Sequence, residues 1–183
     1  MSLIRLLVLG VVRGHGEVHG YAVSRQLADW QIDSWTRVRP GSLYHALKQL
    51  TKEGKLASGA VEQSPEGPDR TLYRITSAGE AEFSDALEAA LMSLDIEAIG
   101  VGLAFMTALP RGRVLDLFAQ RQALARENHN RLQGMQAKRP LPSPPPHSGE
   151  LMSLWAENLA VGMAWVDRLT ERIEAGDYEF AAA

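Results

Sequence analysis

Between residues 3 and 80 the apolar positions come in short runs whose spacing changes along the chain. Residues 3–12 are almost continuously apolar and are closed by Arg13-Gly14-His15-Gly16, which predicts one buried helix with a glycine stop. Tyr21, Val23, Leu27 and Trp30 stand near helical spacing and predict a second helix over about 20–30, while residues 31–38 carry no period. From Leu43 the helical period returns. Leu43, Ala46, Leu47 and Leu50 follow the i, i+3, i+4, i+7 rule and predict a third helix to about Glu53, opened by Arg39-Pro40-Gly41-Ser42 and stopped by Gly54. Residues 56–62 and 71–75 then read as two strands around a Pro/Gly-rich turn over 63–70. Ser77-Ala78-Gly79-Glu80 has the S-x-x-E form of a capping box and predicts a fourth helix to about Leu94.

The second half is helical throughout. Residues 96–109 predict a further short helix, and Pro110 suits the head of a long one over about 111–138. In that long helix Val114, Leu117, Leu124, Leu132 and Met135 fit a mostly coiled-coil spacing, with Arg121 and Asn128 at the intermediate places. Residues 139–149 hold five prolines and read as a linker. The final helix, about 150–175, carries Met152, Trp155, Leu159, Gly162, Val166, Leu169 and Ile173 at alternating steps of three and four, an unbroken heptad seam. Such a seam wants a partner helix. The reading taken here puts Met152, Trp155, Leu159, Val166, Leu169 and Ile173 in a dimer interface, against the partner's last helix or its N-terminal helix around residues 3–9. The alternative packs the seam on the long helix of the same chain.

Helix, helix, helix and a hairpin, then helices, define the expected fold class: mainly α with a two-stranded β-wing. The expected organisation is a winged helix-turn-helix domain over residues 1–80 and a helical dimerisation domain over 81–183. Composition changes this picture little: 45% hydrophobic and 22% charged residues in 183 fit an ordinary globular chain. The net charge of −3 argues at first against a polyanionic partner. Its distribution reverses that, because residues 1–80 hold 10 Lys/Arg against 8 Asp/Glu and residues 81–183 hold 9 against 14. The field a phosphate feels is local, so one mildly basic end suffices. There are no cysteines, which fits a cytoplasmic address and removes disulfides and thiolate metal sites. The apolar run 6–12, bounded by Arg5 and Arg13, is too short to span a bilayer and is read as a buried helix and not a signal peptide or membrane anchor.

The chemistry sits on the third helix. With Leu43, Ala46, Leu47 and Leu50 inward, its outer faces carry Ser42, Tyr44, His45, Lys48, Gln49 and Lys52. A helix N-terminus with hydroxyls beside it suits phosphate, and His45, Lys48 and Gln49 are long enough to reach base edges in a major groove. Arg37 and Arg39 before the helix, and Arg70 in the wing, are expected phosphate or minor-groove ligands, with Tyr44, Lys48 and Arg70 at the centre of the contact. His15 and His19 flank Glu17 in a way that superficially suggests zinc, but the carboxylate is misplaced and Gly14, Gly16 and Gly20 oppose a helix there. No nucleophile elbow or phosphate-cradling loop is present, so no enzyme, metal or cofactor is expected.

Several of these pieces resemble one family. Gly41-Ser42-Leu43-Tyr44, Ala46-Leu47-Lys48-Gln49-Leu50 and Glu53-Gly54-Lys55-Leu56 resemble the recognition-helix signature of PadR-like regulators, as do His19-Gly20-Tyr21 and the run Arg70-Thr71-Leu72-Tyr73-Arg74-Ile75-Thr76-Ser77-Ala78-Gly79. Leu154-Trp155-Ala156-Glu157-Asn158 and Ala164-Trp165-Val166-Asp167-Arg168-Leu169 are similar to the final helix of the longer branch, whose C-terminal domain is related to that of a virulence-gene activator. The resemblance implies a homodimeric repressor on a pseudo-palindromic operator in double-stranded DNA, released by a small aromatic or phenolic ligand. Phe105, Met106, Trp155 and Trp165 are the side chains expected to line an effector pocket. His45 departs from the pattern, which has Pro there, so the operator does not carry over from relatives. The rival reading is a dimeric winged-helix adaptor that binds protein without specific DNA recognition.

Overall fold

The computed structural model describes residues 2–39, 41–62, 70–137 and 147–182. The chain is mainly helical with one small antiparallel sheet, and it divides into two compact units. Unit 1 comprises Met1–Ala90 and Asp95–Phe105; unit 2 comprises Leu91–Leu94 and Met106–Ala183. The expected division after residue 80 lies at a position inside unit 1.

Unit 1 begins with α1 (Leu3–His15), whose residues 6–12 are all buried. A short strand β1 (Glu17–His19) leads into α2 (Gly20–Asp29) and the single turn α3 (Ile32–Trp35), followed by α4 (Ser42–Lys52). The hairpin β2 (Leu56–Glu62) and β3 (Arg70–Ile75) comes next, then α5 (Ser77–Met92) and α6 (Ile96–Ala104). The sheet has three strands, not the expected two, in the order β1-β3-β2. Glu17, Val18 and His19 pair with Arg74, Tyr73 and Leu72. Three residues between glycines are too few to show a period of two, so only the pairing with β3 reveals this strand. The turn α3 likewise lies in a stretch with no period, held by buried Ile32 and Thr36.

The cap of α5 also differs from expectation. The hydroxyl that accepts the first-turn N–H belongs to Thr76, one residue before the predicted Ser77, at 3.1 Å from the nitrogen of Gly79. The same hydroxyl lies 2.7 Å from the carbonyl oxygen of Gly54, to which it donates. Thr76 therefore joins the start of α5 to the end of α4 in one side chain, which Ser77 is not placed to do. Gly79 is required there because a Cβ would overlap the carbonyl oxygen of Lys55. On the opposite side, the ring of Phe105 occupies the space a side chain at Gly10 would need, and meets the rings of Trp30 and Phe83 at 5.7 Å.

Unit 2 is a helical hairpin of α7 (Arg111–Ala137) and α8 (Ser148–Ala175), preceded by a 3-10 turn, Met106–Ala108. Pro110 stands just before α7, and its carbonyl accepts from Val114 at 3.1 Å. The inward face of α7 is Val114, Leu117, Phe118, Arg121, Gln122 and Ala125. Leu124 and Met135, expected in the seam, are 41% and 51% exposed, because packing follows the 3.6-residue turn and admits Arg121 and Gln122. Arg121 donates through Nε to the carbonyl of Ser93 at 2.9 Å, and burial pulls its pKa down. Gln122 donates to Asp167 at 2.6 Å and to the carbonyl of Met163 at 2.9 Å. Residues 139–146 of the proposed linker lie outside the described residues, and α8 already begins at Ser148. Among the described residues no helix is long and apolar enough to cross a membrane.

Candidate nucleic-acid interface

The site is built on α4. Leu43, Ala46, Leu47 and Leu50 are at most 4% exposed, with α1 and β2 packed against the helix. That burial turns Tyr44, His45, Lys48 and Lys52 outward, all of them exposed, with Gln49 half-buried at the edge. No side-chain hydrogen bond from Gly41 caps the first turn of α4, and the backbone N–H of Ser42 already donates to the carbonyl of Arg39 at 2.9 Å. Ser42, expected to offer its hydroxyl there, instead donates it to the carbonyl of Arg39 at 2.6 Å. Contact of Ser42 with a phosphate would require that bond to be exchanged.

Gly20 sets the position of Tyr44. A Cβ at Gly20 would stand 3.2 Å from a Leu47 methyl and 3.5 Å from ring carbons of both Tyr44 and Tyr73. The missing side chain lets the aromatic edge of α4 lie against the start of α2, bracing Tyr44 while 55% of it stays exposed. Next to it Tyr21 is 71% exposed, and Arg25, one turn further along α2, is exposed too. Tyr21 is one of the four residues whose spacing predicts α2, and it stands off the inward face. The inward positions of α2 are Gly20, Val23 and Leu27, whose steps of three and four were concealed because glycine does not score as apolar.

The remaining predicted contacts divide. Arg39 is exposed beside the helix start. Arg37 is engaged by Glu97, which accepts its backbone N–H at 2.8 Å and its Nε at 3.1 Å, so part of its charge is already answered. Arg70 pairs by its backbone with Glu62 at the base of the wing; its side chain and the turn 63–69 lie outside the described residues. At the other end of α4, Glu53 receives Arg5 at 2.6 Å and Gln49 at 2.7 Å, and Arg5 also holds Glu82 at 2.6 Å. The hydrogen bond from Arg5, then that from Gln49, keeps the Glu53 carboxyl below its usual pKa, and Glu82 and Glu53 raise that of Arg5.

In unit 2 the proposed interface residues separate into two groups. Val166, Leu169 and Ile173 are at most 6% exposed and lie inside the hairpin with α7. Met152, Trp155 and Leu159 instead line an open groove of about 630 Å³ with Leu94, Leu132 and Met135. The four residues expected to line an effector pocket are divided between the two units. Phe105 belongs to the core of unit 1 and the other three to unit 2, where Met106 is buried, Trp165 half-buried and Trp155 in the groove. Among the described residues no group of three or more His, Asp or Glu side chains is placed to hold a metal ion.

A helix-turn-helix carried on a three-stranded sheet, with a basic and aromatic outer face on its last helix, defines a winged-helix module. Residues 8–85 match the model of the transcriptional regulator PadR-like family. No curated protein matches the chain. Among solved structures it is similar to Bacillus subtilis PadR in complex with operator DNA, at 21% identity over 94% of this chain and 99% of that one, with a TM-score of 0.41. It is also similar to smu.1604c from Streptococcus mutans UA159, at 20% identity over 94% and 96% of the two chains, with a TM-score of 0.39. The B. subtilis PadR complex with p-coumaric acid has 20% identity over 94% and 99%, with a TM-score of 0.37.

Proposed function

We propose that the chain is a homodimeric, sequence-specific DNA-binding repressor. The observation that carries the reading is the outer face of α4, where Tyr44, His45, Lys48 and Lys52 are exposed on a helix whose opposite face is fully buried, within the PadR-like segment. Tyr44, Lys48 and Arg39 are assigned to the DNA backbone, and His45 and Gln49 to base edges. Tyr21 and Arg25 join them from α2, and Arg70 from the wing.

Dimerisation is supported by the half of the α8 seam that the chain leaves open. Trp155 is 48% exposed and lines an apolar groove with Met152 and Leu159. A two-fold pair would present two recognition helices to a pseudo-palindromic operator. Release by a small aromatic acid is supported by the family resemblance alone.

The test is binding of the purified chain to labelled DNA from upstream of its own coding region, against scrambled DNA of equal length, across a salt series. Selective, salt-steep binding is expected. Equal weak binding to both, together with retention of a protein partner, would replace this reading by the adaptor. Titrating the complex with p-coumaric acid is expected to free the DNA, and unchanged binding at millimolar ligand would remove that part.

A further inference from the structure

Gln49 lies on the edge of α4, and its amide is not free to choose which end it shows. Its Nε2 is 2.7 Å from Oε1 of Glu53, one turn further along. A carboxylate accepts and cannot donate, so the amide must turn its NH2 toward Glu53 and its carbonyl oxygen away. Glu53 is itself held: its other oxygen, Oε2, accepts from Nη2 of Arg5 at 2.6 Å. Arg5 is fixed in turn by Glu82, through Nε to Oε1 at 2.6 Å and Nη2 to Oε2 at 2.8 Å. Glu82 has Lys55 at 3.8 Å as a second cation. The chain of contacts therefore runs from α5 through α1 to the last turn of α4, and it ends on a side chain of the outer face.

The placement of Glu53 needs an explanation of its own. A carboxylate at the C-terminal end of a helix opposes the helix dipole, and one beside a DNA-facing surface repels phosphate. Arg5 offsets both, and the hydrogen bond it gives holds the Glu53 carboxyl in its charged form. The result is an acceptor kept at a set place, where an unpaired glutamate would turn toward solvent.

Resting on the DNA-binding reading above, we propose that Glu53, clamped by Arg5, is the positioning residue for Gln49 and makes it a specificity determinant: an amide held with its oxygen outward, which selects a base that offers an exocyclic amino group in the major groove. Adenine N6 and cytosine N4 are the groups that fit an outward acceptor, whereas guanine O6 and thymine O4 are acceptors that oppose it. Glu53 itself touches no base.

The experiment is selection of bound duplexes from a random-sequence library by the full-length chain, read position by position, for the wild type and for Gln49→Ala, Glu53→Ala and the double variant. The wild type is expected to prefer A or C at one position of each half-site. Gln49→Ala and Glu53→Ala should each cut that preference by about tenfold, the size of a good base contact, while neighbouring positions keep theirs. The double variant should lose no more than Gln49→Ala alone, since the two act as one unit. Melting curves of Glu53→Ala separate lost folding from lost selection, and Gln49→Ala leaves the ion cluster intact. A wild type that enriches no motif overturns the regulator reading and this inference with it. An enriched motif that the variants leave unchanged, that Glu53→Ala weakens evenly at all positions, or that the double variant changes additively, overturns the inference alone.

Discussion

Helices α4 and α8 carry the same kind of apolar seam and use it differently. In α4 all four inward residues are buried, and the helix becomes a fixed rod whose outer face is free for other work. In α8 the seam is split: Val166 and Ile173 are fully buried against the hairpin, while Trp155 remains half exposed. A regular heptad thus states that a helix has a face to cover, and says nothing of what covers it. The number of helices packed around each seam decides that. α4 sits among α1, α2 and β2, whereas α8 is covered by α7 and chiefly along its C-terminal half.

The largest effects should come from the covered seam. Leu50→Ala removes a side chain with no exposure and should lower the stability of unit 1 by about 2–5 kcal/mol in urea unfolding. A loss under 1 kcal/mol would mean α4 is not packed as described. Gly79→Ala should cost roughly 1–3 kcal/mol, because the atom the new Cβ meets first is the backbone oxygen of Lys55, which cannot move aside as a side chain can. An unchanged melting temperature would contradict that close approach.

The open seam should behave in the opposite way. Trp155→Ala is expected to leave chemical unfolding of the chain within about 1 kcal/mol of wild type and to weaken self-association by at least roughly 30-fold, as a truncated interface anchor does. Sedimentation at micromolar concentration reads this directly. Equal dimer content in both proteins would place the interface elsewhere. On the outer face of α4, Lys48→Ala should flatten the salt dependence of DNA binding by about one unit if the ammonium meets a phosphate. An unaltered slope would assign the residue to solvent.

The smallest effect is one of pH. The Glu53 carboxyl is depressed by Arg5 and Gln49, so its contribution to stability is complete above the ordinary glutamate value of about 4.3 and is lost as pH falls through the lower folded value. Glu53→Gln should therefore melt slightly below wild type at neutral pH, with the gap closing as pH drops below the carboxylate range. A gap that persists at low pH would mean that charge is not its source.

Much of unit 1 was legible without coordinates. Leu43, Ala46, Leu47 and Leu50 announced both the helix and its inward face, and Gly54 and the Pro/Gly-rich stretch 63–70 set off the two strands in the sequence. What escaped was short or silent in periodicity. β1 spans three residues and pairs only with β3, and the inward face of α2 was hidden because Gly20 takes its first place. The expected function of Ser42 shifted for a local reason, since its hydroxyl found the Arg39 carbonyl first. The effector residues Phe105, Met106, Trp155 and Trp165 were grouped by chemistry alone, and aromatic character carries no address: Phe105 filled the gap over Gly10.

Local pattern by itself determined the order of the helices, the hairpin, the buried face of α4 and the kind of surface opposite it, because each follows from residues within a few positions of one another. Only the tertiary structure decided that Thr76 ties the start of α5 to the end of α4, that Arg121 is buried, that half of the α8 seam is taken and that Glu53 is tied to Arg5. Those outcomes depend on groups between 21 and 77 positions apart, brought together by packing that no local period encodes.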